Sequence, residues 1–570
     1  MANLLDDETL DSAVIDAAHL GDIRGAWGTL RWRQLWPPRT LRGRLGVLAA
    51  VMGPGLLALI AGNDAGGVAT YAQAGQEQGI RLLWVLVPLG LVLFVNQEMA
   101  ARLGAVSGVG HARLIVERFG RLWGAFSLGD LLLLNVLTLV TEFIGVRIAA
   151  EHLGVPSAPA VGVAALVLIA ATLAGGFQRW ERVMLLLVAV DVALMPLLLL
   201  AHPVAGGAAT TPGAPAHPAG LQSAVVLIVA LMGTTVAPWQ LFFQQSATVD
   251  KRITPRWLAY ARVDTAMGTV LMLAGAAAVM AVSASAFAAG GAVADGEDVG
   301  GILAAVGSHL GPGAGDLLAL LLFDSAVLGA AAVAMASSYA VGDVTGARHS
   351  LHRTPRQAPL FYAVATLVVA VTAGAVLLPG LDPDAVTVSV QVLAGLLLPG
   401  ATVFMLLLCN DTAVLGPWSN GRWLNAVAAT SVAALLALSG MLVVTALYPD
   451  APAVGVGAAL GGAAALGLLA VGLSGVRRRR RAERGFWTAP AATPQLRLLR
   501  RPVVVLGVPR GRAASPLDDE RAFWRTPPLA ELRRPVWTAG RLAGMVALRG
   551  YVVLSVLLLA GRAVATALRH

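Results

Sequence analysis

The sequence predicts an all-α, polytopic membrane protein with two interrupted helices at its centre. Three observations carry that expectation: too little charge for a soluble globule, apolar runs of spanning length, and two breaks rich in glycine, proline and polar residues inside such runs. The chain of 570 residues is 57% hydrophobic and 13% charged, whereas soluble domains carry about 25% charged residues. Its mean hydropathy is +0.74. The apolar residues come in blocks of roughly 20, the length that crosses about 30 Å of hydrocarbon. Hydropathy places spans near 45–79, 82–101, 122–146, 158–174, 183–201, 221–247, 257–288, 314–341, 358–378, 386–409, 422–447 and 454–475, about twelve in all.

The net charge of +9 does not point to nucleic acid, because of where it sits. Segments 102–121, 178–182, 250–256 and 343–356 are basic, as is the run Arg477–Arg481. The intervening loops hold Asp295, Glu297, Asp298, Asp382, Asp384 and Asp450. That alternation is the positive-inside pattern, and it puts both termini in the cytoplasm. Lysine occurs once, at Lys251, so the preference for arginine reflects composition bias. The single cysteine, Cys409, excludes an internal disulfide and a cysteine metal cluster. Residues 1–44 start acidic and turn basic, which suits a cytoplasmic tail better than a cleaved leader. A core is expected over 45–410, in halves 45–201 and 221–410, then two further spans over 422–475. Residues 476–570 form a second tail, with an apolar patch at 551–567 that lies on, packs against or crosses the membrane. The expected location is a plasma or inner membrane.

Two spans cannot be regular helices. The first contains Gly53-Pro54-Gly55 and then Gly62-Asn63-Asp64-Ala65-Gly66-Gly67. Glycine is costly in a helix interior and a carboxylate is costly in lipid. The sixth contains Gly233-Thr234-Thr235-Val236-Ala237-Pro238-Trp239-Gln240, where Pro238 removes a backbone donor. The breaks open each of two five-span halves, and matched broken helices at mid-membrane point to a transporter site lined by freed carbonyls.

These residues resemble a known family. The block Gly53 to Gly79, then Leu82-Leu83-Trp84-Val85-Leu86 and Ala100-Ala101-Arg102-Leu103-Gly104, is similar to the opening of the Nramp divalent-metal transporters. Glu142-Phe143-Ile144-Gly145, Glu181, Gln391-Val392-Leu393 through Leu398-Pro399, and Asn410-Asp411 follow in order over roughly residues 45–420. The resemblance implies a leucine-transporter-like fold of two inverted five-helix repeats. The departures are informative. The family's Asp-Pro-Gly-Asn is Asp64-Ala65-Gly66-Gly67 here, its Met-Pro-His is Ala237-Pro238-Trp239, and its span-three aspartate is Leu139. The stretch Thr234 to Ser246 looks like the divergent branch of Nramp-related magnesium transporters.

On that resemblance the metal residues are Asp64, Gly67, Ala237, Gln240 and Gln391. Loss of a thioether at Ala237 removes a soft ligand, while Mg²⁺ wants oxygen and sheds water reluctantly. Gly67 leaves more space beside the carboxylate. A partly hydrated Mg²⁺, with Mn²⁺ also accepted, is the expected substrate, and no cofactor, nucleic acid or obligate protein partner is implied. Trp239 replaces a titratable imidazole, so proton coupling is not expected, although Glu142, Asp191, Asp264 and Asp324 are intramembrane acids. Scattered His202, His217 and His309 have no ligand spacing. No nucleotide motif or nucleophile–base pairing suggests a pump or an enzyme. A proton-coupled Mn²⁺/Fe²⁺ importer, an amino-acid or organic-cation symporter and a metal sensor remain the alternatives.

Overall fold

Helix starts follow local chemistry. Pro54, Pro238, Pro312 and Pro359 each stand in the first turn of a helix, where the missing N–H is not needed and φ is already set. The computed structural model describes residues 12–34, 36–201, 221–288, 299–378, 383–447, 455–466, 521–532, 544–545 and 550. The 203–220 loop, the Arg477–Arg481 run and the 551–567 patch lie outside them. The helices are α1 (Leu41–Val51), α2 (Pro54–Ile60), α3 (Ala65–Gln78), α4 (Leu83–Ser107), α5 (His111–Phe119), α6 (Arg121–His152), α7 (Ser157–Leu173) and α8 (Phe177–Ala201). They continue with α9 (Leu221–Thr235), α10 (Pro238–Asp250), α11 (Leu258–Ala288), α12 (Val299–Leu310), α13 (Pro312–Thr345), α14 (Pro359–Val376), α15 (Pro383–Cys409), α16 (Thr412–Leu415) and α17 (Arg422–Leu447).

Both expected breaks are present. Residues 61–64 separate α2 from α3, and 236–237 separate α9 from α10. The four half-helices meet in pairs, α2 against α10 and α3 against α9. Around them, α11 packs on α2, α3 and α4, while α13 packs on α6, α8, α10 and α14. The most apolar stretch of α13 is 83% buried and that of α8 only 33%, so α13 is a central helix and α8 a peripheral one. Small residues along α13 (Gly329, Ala330, Ala331, Ala334 and Ala336) allow this close approach.

Among the described residues, seven helical segments are long and apolar enough to cross a membrane, or nine if two bent pairs each make one span. Those pairs are α1 with α2, bent by 55°, and the end of α15 with residues 412–418, bent by 61°. The breaks explain part of the difference from twelve: α9 and α10 have 15 and 13 residues, and neither spans alone. The short apolar helices α7, α12 and 455–466 supply further segments.

One non-helical unit stands outside the bundle. Residues read as a plain tail form a β-hairpin, β1 (Ile23–Gly25) with β2 (Gly28–Leu30), registered Ile23↔Leu30. It docks beside three of the basic loops. Gln178 and Arg182 donate to the carbonyls of Gly25 and Ala26, Arg252 donates to those of Ala18 and Asp22, and Arg353 pairs with Asp16. These three basic segments therefore share one face with the N-terminal segment. Beneath it, residues 521–532 tie in through Ala13 N–H to the Thr526 carbonyl at 2.9 Å.

Candidate metal centre

Asp64 is the N-cap of α3, and its Oδ1 accepts the Gly67 N–H at 2.8 Å. The first turn of any helix leaves N–H groups without partners, and its positive end favours an anion. That is why a carboxylate is stable at this break. Glu142 of α6 serves the same helix end: its Oε2 accepts the Ala65 N–H at 3.0 Å, while Oε1 has no partner among the described residues. Both are buried, at 7% and 0% exposure. A Cβ on Gly329 of α13 would stand 2.6 Å from Glu142 Oε1 and 3.1 Å from Asp64 Cβ, so only glycine lets α13 close over the pair. Two adjacent carboxylates without a basic partner repel each other, and a cation or a shared proton relieves that repulsion.

Gln240 joins the two breaks. Its Oε1 accepts the Ala237 N–H at 3.2 Å and the Gln97 amide at 3.4 Å. Its Nε2 is unpartnered, and a Cβ on Gly62 would come within 2.0 Å of it. Tyr71 of α3 and Thr235 at the end of α9 share a hydrogen bond at 3.2 Å across the same seam. Ala237 is the N-cap of α10 and presents only a methyl group. Trp239 is fully buried, with its indole N–H unpartnered. The space expected at Gly67 is narrow: a Cβ there would meet the Gly62 carbonyl at 3.2 Å and Asp64 Oδ1 at 3.3 Å. Gln391 lies on α15, but its side chain is outside the described residues.

The two breaks thus stand side by side, Gly62 against Gln240 and Tyr71 against Thr235, with Asp64 and Gly67 on one, Ala237 on the other, and Glu142 beside Asp64. Among the described residues no three of His, Cys, Asp or Glu converge as a metal cluster. An ion here would be held by a carboxylate with neutral oxygens, a donor set for a hard cation. Two other buried acids, Asp264 and Glu181, have structural partners. Asp264 caps α2 through the N–H groups of Gly53, Gly55 and Leu56. Glu181 pairs with Lys251 at 2.5 Å and accepts the Ala26 N–H at 2.6 Å. Lys251, which in sequence looks like one more loop charge, is fully buried. Cys409 is buried and free.

A family model described as natural resistance-associated macrophage protein-like matches residues 55–445. A divalent metal cation transporter MntH of Burkholderia ambifaria is 28% identical over 423 residues, 71% of this chain and 91% of that protein. The MntH of Mycobacterium tuberculosis is 29% identical over 416 residues, 69% and 92% of the two chains. A crystal structure of a mutant manganese transporter from Eremococcus coleocola superposes with a TM-score of 0.56 at 19% identity, covering 82% of this chain and all of that one. The helices are therefore arranged as in that transporter.

Proposed function

This chain belongs to the Nramp family, and from that premise we propose that it carries divalent metal cations across a cell membrane by alternating access. In this reading Mg²⁺ is preferred and Mn²⁺ is accepted, and the metal is cargo rather than a resident cofactor. The ion binds where the two broken helices meet, at Asp64 with Gly67, Ala237, Gln240 and Gln391. The observation that carries the reading is the buried Asp64 carboxylate at the N-terminus of α3, beside a second break whose residue 237 offers a methyl group and no thioether. A soft metal gains nothing from that methyl, while a hard ion is served by carboxylate, amide and backbone oxygens. Both termini face the cytoplasm, on the side of the basic loops. Cation entry is then driven by the membrane potential, about 2.3 kcal/mol per charge per 100 mV. The core runs over 45–410, with 422–475 as two added spans.

Glu142 favours a second reading. Its free oxygen beside Asp64 is placed to share a proton with it, and an entering metal would displace that proton. Proteoliposome uptake of ²⁸Mg, competed by Mn²⁺ with and without a pH gradient, separates the two. Mg²⁺ uptake that ignores the gradient supports the first reading; lumenal acidification during uptake supports the second. Ala237→Met should shift preference toward Mn²⁺ about tenfold, and an unchanged ratio argues against the thioether reasoning.

A further inference from the structure

Two intramembrane aspartates take no part in the centre at Asp64 and have no structural cation among the described residues. Asp191 of α8 is fully buried: its Oδ1 accepts the Ser325 hydroxyl at 2.7 Å, and its Oδ2 has no partner among the described residues. Asp324 of α13, 7% exposed, also keeps an unpartnered Oδ2 and lies within electrostatic reach of Asp191. Among the described residues no lysine or arginine pairs with either. A third element turns toward them. Asn63, 3% exposed in the first break, donates to the Met272 carbonyl at 3.1 Å, which leaves its Oδ1 without a partner.

Asn63, Asp191 and Ser325 line one narrow crevice, walled by Tyr71 and Met195. It is too narrow to seat a free water. Carboxylate, amide and hydroxyl groups from α8, the break and α13 thus line the same crevice, in a place where hydration cannot satisfy them. Buried charges are retained only when paired or when they coordinate an ion.

We propose that this crevice is a second cation site, separate from Asp64, that takes a dehydrated monovalent cation, Na⁺ first. Four hard oxygens select against a soft transition metal. Mg²⁺ keeps several waters and Ca²⁺ takes six to eight oxygens, and the crevice provides neither. Asn63 precedes Asp64 on the same break, so an ion held at Asn63 fixes the backbone that presents Asp64. Each ion then strengthens binding of the other by the same factor. The coupling rests on the transport reading above; the site itself does not.

The test uses the full chain, purified and reconstituted. Saturable ²²Na⁺ binding is expected, weakened at least tenfold by Asp191→Asn and several-fold by Ser325→Ala, and retained in Asp64→Ala. Ser325→Ala removes a single hydroxyl, and thermal melts confirm that each variant is folded. Replacing Na⁺ by choline should lower ²⁸Mg or Mn²⁺ uptake several-fold. No saturable ²²Na⁺ binding overturns the proposal, as does binding unaffected by Asp191→Asn and Ser325→Ala or lost equally in Asp64→Ala. Divalent uptake indifferent to Na⁺, with no ²²Na⁺ binding, sinks this site and leaves the transport reading intact. Na⁺ binding at Asp191 without divalent flux under any condition does the reverse.

Discussion

Asp64 does two jobs that a substitution can separate. Asparagine caps a helix about as well as aspartate does, so Asp64→Asn keeps the bond from the Gly67 N–H and removes only the charge. Divalent uptake should fall at least a hundredfold while thermal stability changes by less than about 1 kcal/mol. Undiminished uptake would refute the site. Lys251 shows the opposite case, a charge whose role is structural. It donates to Glu181 and to the Met52 carbonyl with no exposure at all. Lys251→Met strands a buried carboxylate and should destabilise by about 3 kcal/mol. Adding Glu181→Gln should recover part of that loss, as read in denaturation of the double variant. In sequence Lys251 carries no sign of this role, because a Lys-Arg pair at a helix end looks like a topology anchor.

At the scale of elements, the N-terminal hairpin is held by a loop whose charge depends on pH. Burial disfavours a charged imidazole at His349, but the Asp343 carboxylate, 3.0 Å away, outweighs it and holds the group up at about 9. A histidine raised in this way stabilises fully below its ordinary value of 6.5, and the contribution is lost as pH rises toward about 9. His349 also accepts, through its carbonyl, from His19 of the N-terminal segment at 3.3 Å. Melting between pH 6.5 and 9 should therefore show a loss on the order of 2 kcal/mol, flattened in His349→Gln. An identical slope in that variant would remove His349 from the account. The hairpin had no sequence signal, because three-residue strands beside glycines are too short for a periodic pattern.

Over the whole molecule, the two ends are fastened to the same face. Thr526 donates through Oγ1 to the Val414 carbonyl at 2.7 Å, Arg521 donates to the Pro417 carbonyl, and the Thr526 carbonyl accepts from Ala13. None of these groups touches Asp64 or Gln240. Removing residues 476–570 should lower the melting temperature by several degrees and leave uptake per folded molecule within about twofold. Loss of uptake by correctly folded truncated protein would instead favour a tail that controls transport.

The membrane class, the two breaks and the carboxylate in the first of them are legible in the residues alone. Each follows from local chemistry: apolar run length, the missing donor of Pro238, and the cost of Gly62 and Asp64 inside a helix. The sequence also marks Glu142, Asp191, Asp264 and Asp324 as acids out of place, since a charge in lipid needs a reason. What each acid is for depends on packing. Glu142 stands beside Asp64, Asp264 caps α2, Glu181 meets Lys251, and Asp191 with Asp324 is left without a basic partner among the described residues. Those pairings join residues from tens to about two hundred positions apart, and no period or motif within one helix encodes which neighbour packing will bring.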